Sequence, residues 1–163
     1  MQGKIAILLP YKDQFIKDNA GSASIWVKDF SKNSRYKKNT TVFGFTNNTN
    51  KIFNNFKYIN LKFSKIGIQS NNLQYVNKFI DVLKKKKFSI IEIHNRPSYI
   101  LHIEKYISKN KYVLVIHNNP QSLRGAVTPK DRKKLIKVCS KIIFVSNWVK
   151  EKFFEGLDIK NHE

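Results

Sequence analysis

The sequence has little cysteine, few acidic side chains and no long apolar run, and each shortage excludes a class of protein. A single cysteine, Cys139, cannot form an internal disulfide, so we expect a reducing compartment. The apolar run between Lys4 and Pro10 has only five residues, too few for a signal-peptide core or a membrane span. We therefore expect a soluble, cytoplasmic protein.

The shortage of acids leaves the chain strongly basic. Lysine and arginine number 31 against 11 acids, which gives a net charge of +20 and a pI of about 10.1. Such a charge is typical of nucleic-acid-binding proteins and of proteins that dock on anionic membranes, but scattered, solvated lysines give the same total. No RNP pattern, zinc-ligand set or recognition-helix cluster accompanies the charge, which favours the membrane surface over nucleic acid.

The length and the apolar content indicate one globular domain over residues 1–163. Hydrophobic residues make up 41% of the chain and aromatic residues 13%, enough to build a core. Apolar runs predict strands at residues 4–9, 40–46, 58–63, 89–93, 113–116 and 141–145. Helical patterns separate them, apart from a polar stretch after the second strand. This alternation predicts a doubly wound, parallel, Rossmann-like α/β sheet in three layers.

The fourth predicted strand changes abruptly into polar residues. His94, Asn95 and Arg96 follow an apolar run and precede Pro97, which can open a helix. They should therefore lie at the carboxyl end of a strand, where ligands bind in open α/β sheets. The next strand ends similarly, in His117 and Asn118, so two imidazoles should share one rim. The alternative is that each histidine merely caps a strand end.

Two further loops contribute candidates. Gly21 and Ser22 precede an apolar helical face, with Ser22 or Ser24 as N-cap, and their backbone N–H groups suit a phosphate. The alternative is an ordinary loop-to-helix junction. Ser146 and Asn147 follow the last strand and should cap the final helix, on the same rim as the two histidines.

Hydrogen-bond donors dominate this rim, and no catalytic triad accompanies them. No serine lies in a G-x-S-x-G elbow, and Cys139 is expected in the core. No carboxylate motif completes a metal site around His94 and His117, so we expect no metal. Neutral imidazoles and amides suit the hydroxyls of a sugar, and Arg96 beside a helix N-terminus suits a phosphate.

The order and spacing of four landmarks resemble the N-terminal domain of GT-B-fold glycosyltransferases, of the family 4 type that builds lipopolysaccharide and other glycans. The family loop commonly has two glycines, where this chain has Ala20-Gly21. The matching segments are residues 4–11, the small-residue loop 19–24, the pair Ile93-His94-Asn95-Arg96-Pro97 and Val115-Ile116-His117-Asn118, and residues 143–150.

The resemblance implies a nucleotide-sugar donor, a glycan or lipid-linked acceptor, and no metal or other cofactor. It implies that His94 is catalytic and faces the donor sugar, that Asn95 and Arg96 line the cleft, and that Gly21 approaches the diphosphate or the acceptor. It also implies a second, nucleotide-sugar-binding domain. That domain is absent from residues 1–163, so we expect an acceptor-side half that is inactive alone.

A lipid-linked acceptor also implies peripheral contact with an anionic membrane at its inner face. The two densest basic clusters are candidates for this contact, although each could simply be a solvated helix face. They are the lysines at 84–87 and a helix with Lys130, Arg132, Lys133, Lys134 and Lys137. Two other functions stay open: a non-catalytic glycan- or nucleotide-binding module, and a basic nucleic-acid-binding protein.

Overall fold

The computed structural model describes residues 3–63 and 68–158, which form one parallel sheet between two layers of helices. The strands are β1 (Ile5–Leu8), β2 (Thr40–Gly44), β3 (Lys57–Asn60), β4 (Ile90–His94), β5 (Lys111–Ile116) and β6 (Cys139–Phe144). The helices are α1 (Ser22–Lys32), α2 (Asn71–Lys85), α3 (Pro97–Ile103), α4 (Pro129–Val138) and α5 (Asn147–Phe154).

The strand order is β3-β2-β1-β4-β5-β6, and every pairing is parallel. This confirms the predicted Rossmann-like α/β fold. The chain begins in the middle of the sheet, runs to one edge, and then crosses to the other side of β1. Because the order reverses between β1 and β4, the loops at their carboxyl ends diverge and leave a crevice there, the usual ligand position in such sheets.

Alternate residues of the central strands face the two helix layers. Ile7 and Leu9 pack with Ala23 and Val27, so α1 covers one face of the sheet. The opposite face packs against α2, α3, α4 and α5 in the larger core cluster, which includes Ala6, Leu8, Ile91, Ile93, Phe79, Ile100, Leu135 and Phe153. None of the helices in residues 3–63 and 68–158 is long and apolar enough to cross a membrane.

Several strand ends differ from the predicted ranges. The second and third strands end at residues 44 and 60, short of the predicted 46 and 63, and the last begins at residue 139 rather than 141. Helix α3 ends at Ile103, where Tyr106 N–H bonds the Ile103 carbonyl in a tighter turn. Cys139 is the first residue of β6 and pairs with Tyr112. Burial raises the pKa of the Cys139 thiol to about 12, so it stays protonated and unreactive at neutral pH.

Candidate functional site at the carboxyl rim

The carboxyl ends of β4, β5 and β6 bring the predicted residues to one edge of the sheet. His94 is the last residue of β4, His117 directly follows β5, and Ser146 follows β6 by two residues. Because all three strands are parallel and paired in this order, the three loops lie side by side. This edge is called the carboxyl rim below.

Two histidines and a glutamate form a hydrogen-bonded chain at this rim. Nδ1 of His94 lies 3.0 Å from Nε2 of His117, and Nε2 of His94 lies 2.8 Å from Oε1 of Glu92. Glu92 and His94 are two residues apart on β4, so the pleat points both side chains to one face. His94 pairs with Val115 in the ladder, which places His117 on that same face. The imidazole of His94 is therefore held at both nitrogens.

The depth of these three residues differs. His94 is 0% exposed, whereas His117 is half-buried and the Glu92 side chain is 18% exposed. The Trp26 ring of α1 lies 5.2 Å from the His94 ring and 5.9 Å from the His117 ring. In this conformation His94 contacts protein groups only, and His117 is the imidazole nearer the surface. The catalytic assignment of His94 stays a prediction.

Burial sets the charge of the outer imidazole. Desolvation, and then the positive charge that His94 can carry, lower the pKa of His117 to about 4. The His94 ring lies only 3.0 Å away, so a positive charge on it further disfavours protonation of His117. His117 is therefore neutral at pH 7 and has a lone pair that can accept a hydrogen bond.

Asn95 links the two histidine loops. It has a φ of 54°, in the left-handed region that asparagine tolerates better than most residues. Its Oδ1 accepts a bond from the Asn118 N–H at 3.3 Å, and its own N–H donates to the Val115 carbonyl. Nη1 of Arg96 donates to the Asn95 carbonyl at 2.9 Å. Asn95 is buried, whereas Asn118 is exposed and free to meet a ligand.

The loop after β6 contributes two polar groups at the surface. Ser146 is the N-cap of α5, as predicted, because its hydroxyl accepts from the Val149 N–H at 3.3 Å. Ser146 and Asn147 are both exposed. The loops after β5 and β6 thus present Asn118, Ser146 and Asn147 to solvent.

The N-terminus of α1 already holds a carboxylate. Oδ2 of Asp13 accepts from the Ala23 N–H at 3.1 Å, and its Oδ1 from the Ser24 N–H at 3.3 Å. The expected capping by Ser22 or Ser24 is wrong: Gly21 is the N-cap and makes no side-chain cap bond. A Cβ at Gly21 would lie 2.5 Å from the Asp13 carboxyl, so this approach needs glycine. A ligand phosphate reaches these N–H groups only after Asp13 moves.

Three residues of this region were missed by the sequence analysis. Glu92 is the one charged residue in the apolar run of β4, and that isolation was the available signal. Asp13 and Trp26 gave no signal, because their partners are distant in sequence. Among residues 3–63 and 68–158, no three His, Cys, Asp or Glu side chains are placed to hold a metal ion.

Two cavities are lined by residues other than the two rim histidines. One of about 410 Å³ lies between α2 and α3 and is lined by residues that include His102 and Arg124. One of about 600 Å³ lies at the amino ends of the strands and is lined by six lysines. The first of these lies beside the first turn of α3, which directly follows Arg96, whereas His94 and His117 line neither cavity.

No protein-family model matches the chain, and no curated protein is similar to it. The chemistry of the rim must therefore be judged from its own groups. A neutral imidazole, two amides and a hydroxyl bind hydroxyl-bearing ligands well. A carboxylate behind the imidazole pair lets the pair accept a proton.

Proposed function

We propose that this domain is the acceptor-side half of a nucleotide-sugar-dependent glycosyltransferase that acts in glycan or lipopolysaccharide synthesis. The observation that carries the proposal is the Glu92–His94–His117 chain at the carboxyl rim, next to the reversal of strand order. Sugar transfer needs a group that binds and activates an acceptor hydroxyl, and a neutral imidazole backed by a carboxylate is suited to that work. The resemblance to GT-B glycosyltransferases points the same way.

The rim offers groups for the acceptor more clearly than groups for the donor diphosphate. Asn118, Ser146 and Asn147 are exposed polar residues in the loops that follow β5 and β6, and their side chains suit sugar hydroxyls. At the α1 N-terminus, by contrast, Asp13 holds the N–H groups that a phosphate needs. In this proposal a second α/β domain therefore grips the nucleotide, and the 163-residue chain alone transfers no sugar.

A transfer assay tests the proposal. Radiolabelled UDP-glucose, UDP-N-acetylglucosamine and GDP-mannose are each offered with lipopolysaccharide core oligosaccharide as acceptor. We expect no transfer by the chain alone, and transfer when this domain is followed by a nucleotide-sugar-binding domain. Oligosaccharide binding without transfer in either form supports a non-catalytic module instead. Tight binding to a random DNA duplex, with an affinity that falls steeply as the salt concentration rises, supports a nucleic-acid-binding protein.

We further propose that basic helix faces dock the domain on an anionic membrane. Lys130, Lys133, Lys134 and Lys137 are exposed on α4, whereas Arg132 is buried and unavailable. Each lysine near such a surface contributes roughly 1 kcal/mol, so four suffice for reversible docking. The lysines at 84–87 are also exposed, at the end of α2.

Vesicle co-sedimentation tests this docking. Phosphatidylglycerol vesicles should retain the protein at low salt, phosphatidylcholine vesicles should not, and added salt should release it. Changing the four α4 lysines together to glutamine should abolish most of the binding. A matched control changes four exposed lysines elsewhere: Lys12, Lys17, Lys32 and Lys62. Equal loss in both variants would show that the charge acts only through its total.

A further inference from the structure

The chain of hydrogen bonds at the carboxyl rim has a direction. One end is a carboxylate whose side chain is 18% exposed, the middle is a fully buried imidazole, and the other end is a half-buried imidazole. A buried imidazole accepts a positive charge only when a negative group is at hand. Glu92 supplies that group at 2.8 Å. A proton that enters through His117 can therefore be stabilised on the buried imidazole of His94.

We propose that Glu92, His94 and His117 form a proton relay in which His117 takes the proton from an acceptor hydroxyl. This inference rests on the proposed function, and it assigns the contact with substrate to His117. His117 is then the catalytic residue. His94 and Glu92 are positioning residues that act through it.

The hydrogen bonds indicate which ring nitrogens carry a hydrogen before substrate binds. An ionised Glu92 can only accept, so Nε2 of His94 carries a hydrogen and donates it to Oε1. In neutral His94 the other nitrogen, Nδ1, is then bare and accepts from Nε2–H of His117. This leaves Nδ1 of His117 without a hydrogen, and it bonds to none of the described residues. Before substrate binds, the relay thus ends in one free lone pair, on Nδ1 of His117.

The transfer step balances along this path. The acceptor O–H breaks and its proton goes to Nδ1 of His117, while the Nε2 proton of His117 moves to Nδ1 of His94. The oxygen's electron pair forms the new bond to the anomeric carbon, and the bond from that carbon to the diphosphate oxygen breaks. The nucleoside diphosphate leaves with that electron pair. His94 is now an imidazolium beside Glu92, and it returns the proton to solvent through His117 after the products leave.

The surroundings of the pair contain little other charge. From α1 the Trp26 ring faces both imidazoles, and it is uncharged. From β4 the facing group is Glu92, and no other described side chain hydrogen-bonds to either ring. The lowered pKa of His117 has burial and His94 as its causes, in that order. A substitution at Glu92 therefore tests the relay.

Histidine NMR of the chain provides the first test. In ¹⁵N-labelled protein at pH 7, we expect His117 with hydrogen on Nε2 and a bare Nδ1. Glu92→Gln keeps an oxygen that can accept from His94 but removes the charge, so the His117 ring should take up its proton at a lower pH. Glu104→Gln is the control carboxylate, on the turn after α3, and should change neither. An unchanged titration in Glu92→Gln overturns the relay.

Kinetics in the transferring two-domain protein provide the second test. His117→Ala should lower kcat by about 100-fold or more, with a much smaller change in KM. Glu92→Gln should lower kcat and move the acidic limb of its pH profile to lower pH, because the negative charge that favours a protonated imidazole is removed. His102→Ala removes a histidine that bonds Asn77 in the helix layer, and should change neither quantity.

The two proposals fail in different ways. Transfer by the two-domain protein with wild-type kcat in His117→Ala overturns the relay and leaves the proposed function standing. Absence of transfer from every donor, in protein whose histidines show the expected NMR tautomers, overturns the proposed function. His117→Gln repeats the kinetic test with a side chain that still hydrogen-bonds, should His117→Ala fail to fold.

Discussion

Arg132→Met is expected to lower the free energy of unfolding by about 3 kcal/mol. Arg132 is 2% exposed and its guanidinium has no carboxylate partner among the described residues. Nη1 donates to the Ala126 carbonyl at 3.0 Å and the Val127 carbonyl at 2.8 Å, and Nη2 donates to the Glu155 carbonyl at 2.6 Å. Methionine fills similar space but removes all three donations, and it leaves the carbonyl of the buried Ala126 without this partner.

The loss should appear in urea denaturation as a lower midpoint with an unchanged slope. Lys133→Met is the matched control, since Lys133 is the next residue of α4 and is exposed. It should change the unfolding free energy by less than about 0.5 kcal/mol. Equal stability of the two variants would mean that the three carbonyls find water when arginine is removed.

Gly125→Ala is expected to cost a similar amount, about 3 kcal/mol, from two sources. Gly125 has a φ of +91°, which side chains rarely adopt, and its Cβ would lie 2.7 Å from the Ser98 backbone nitrogen. The Arg124 carbonyl bonds that same Ser98 N–H, so the loop cannot retreat without losing the bond. The added methyl group must therefore push the start of α3, directly after the rim residue Arg96.

A substitution at Gly156 distinguishes the two sources of strain, the positive φ and the close contact of the added Cβ. Its φ is +71°, but the nearest atom to its Cβ would be Pro129 Cγ at 3.7 Å, an ordinary contact. Gly156→Ala should therefore cost about 1 kcal/mol, from the backbone conformation alone. Thermal unfolding of both variants measures the difference. If both variants lose the same amount of stability, the close approach of Gly125 to α3 adds no strain.

The fold was predictable because its signals are local. Each buried strand is an apolar run, as at residues 90–93, and the loop residues that follow fall on one edge once the sheet is parallel. The placement of His94 and His117 on one rim was also predicted, since each lies at the carboxyl end of a parallel strand. The ends of β2, β3 and β6 were less predictable, because pairing with the neighbouring strand sets a strand end and the apolar run alone does not.

The site was less predictable because depth and partners are set by distant residues. Sequence spacing places His94 at a strand end but does not show that Trp26 of α1 covers it. Likewise, the loop at Gly21 has the composition of a phosphate site, yet Asp13, which comes earlier in the chain, reaches the same N–H groups. The sequence shows Glu92 as a charged residue in a buried strand, but only the structure shows its hydrogen bond to His94.

Binding at the carboxyl rim can be mapped directly by amide NMR of the ¹⁵N-labelled chain titrated with lipopolysaccharide core oligosaccharide. If the rim holds a sugar acceptor, the largest shift changes fall on His117, Asn118, Ser146 and Asn147. Shift changes confined to the lysine-lined cavity at the amino ends of the strands, around Lys85 and Lys86, would contradict a sugar site at the rim. A spectrum that does not change at millimolar oligosaccharide would contradict it equally.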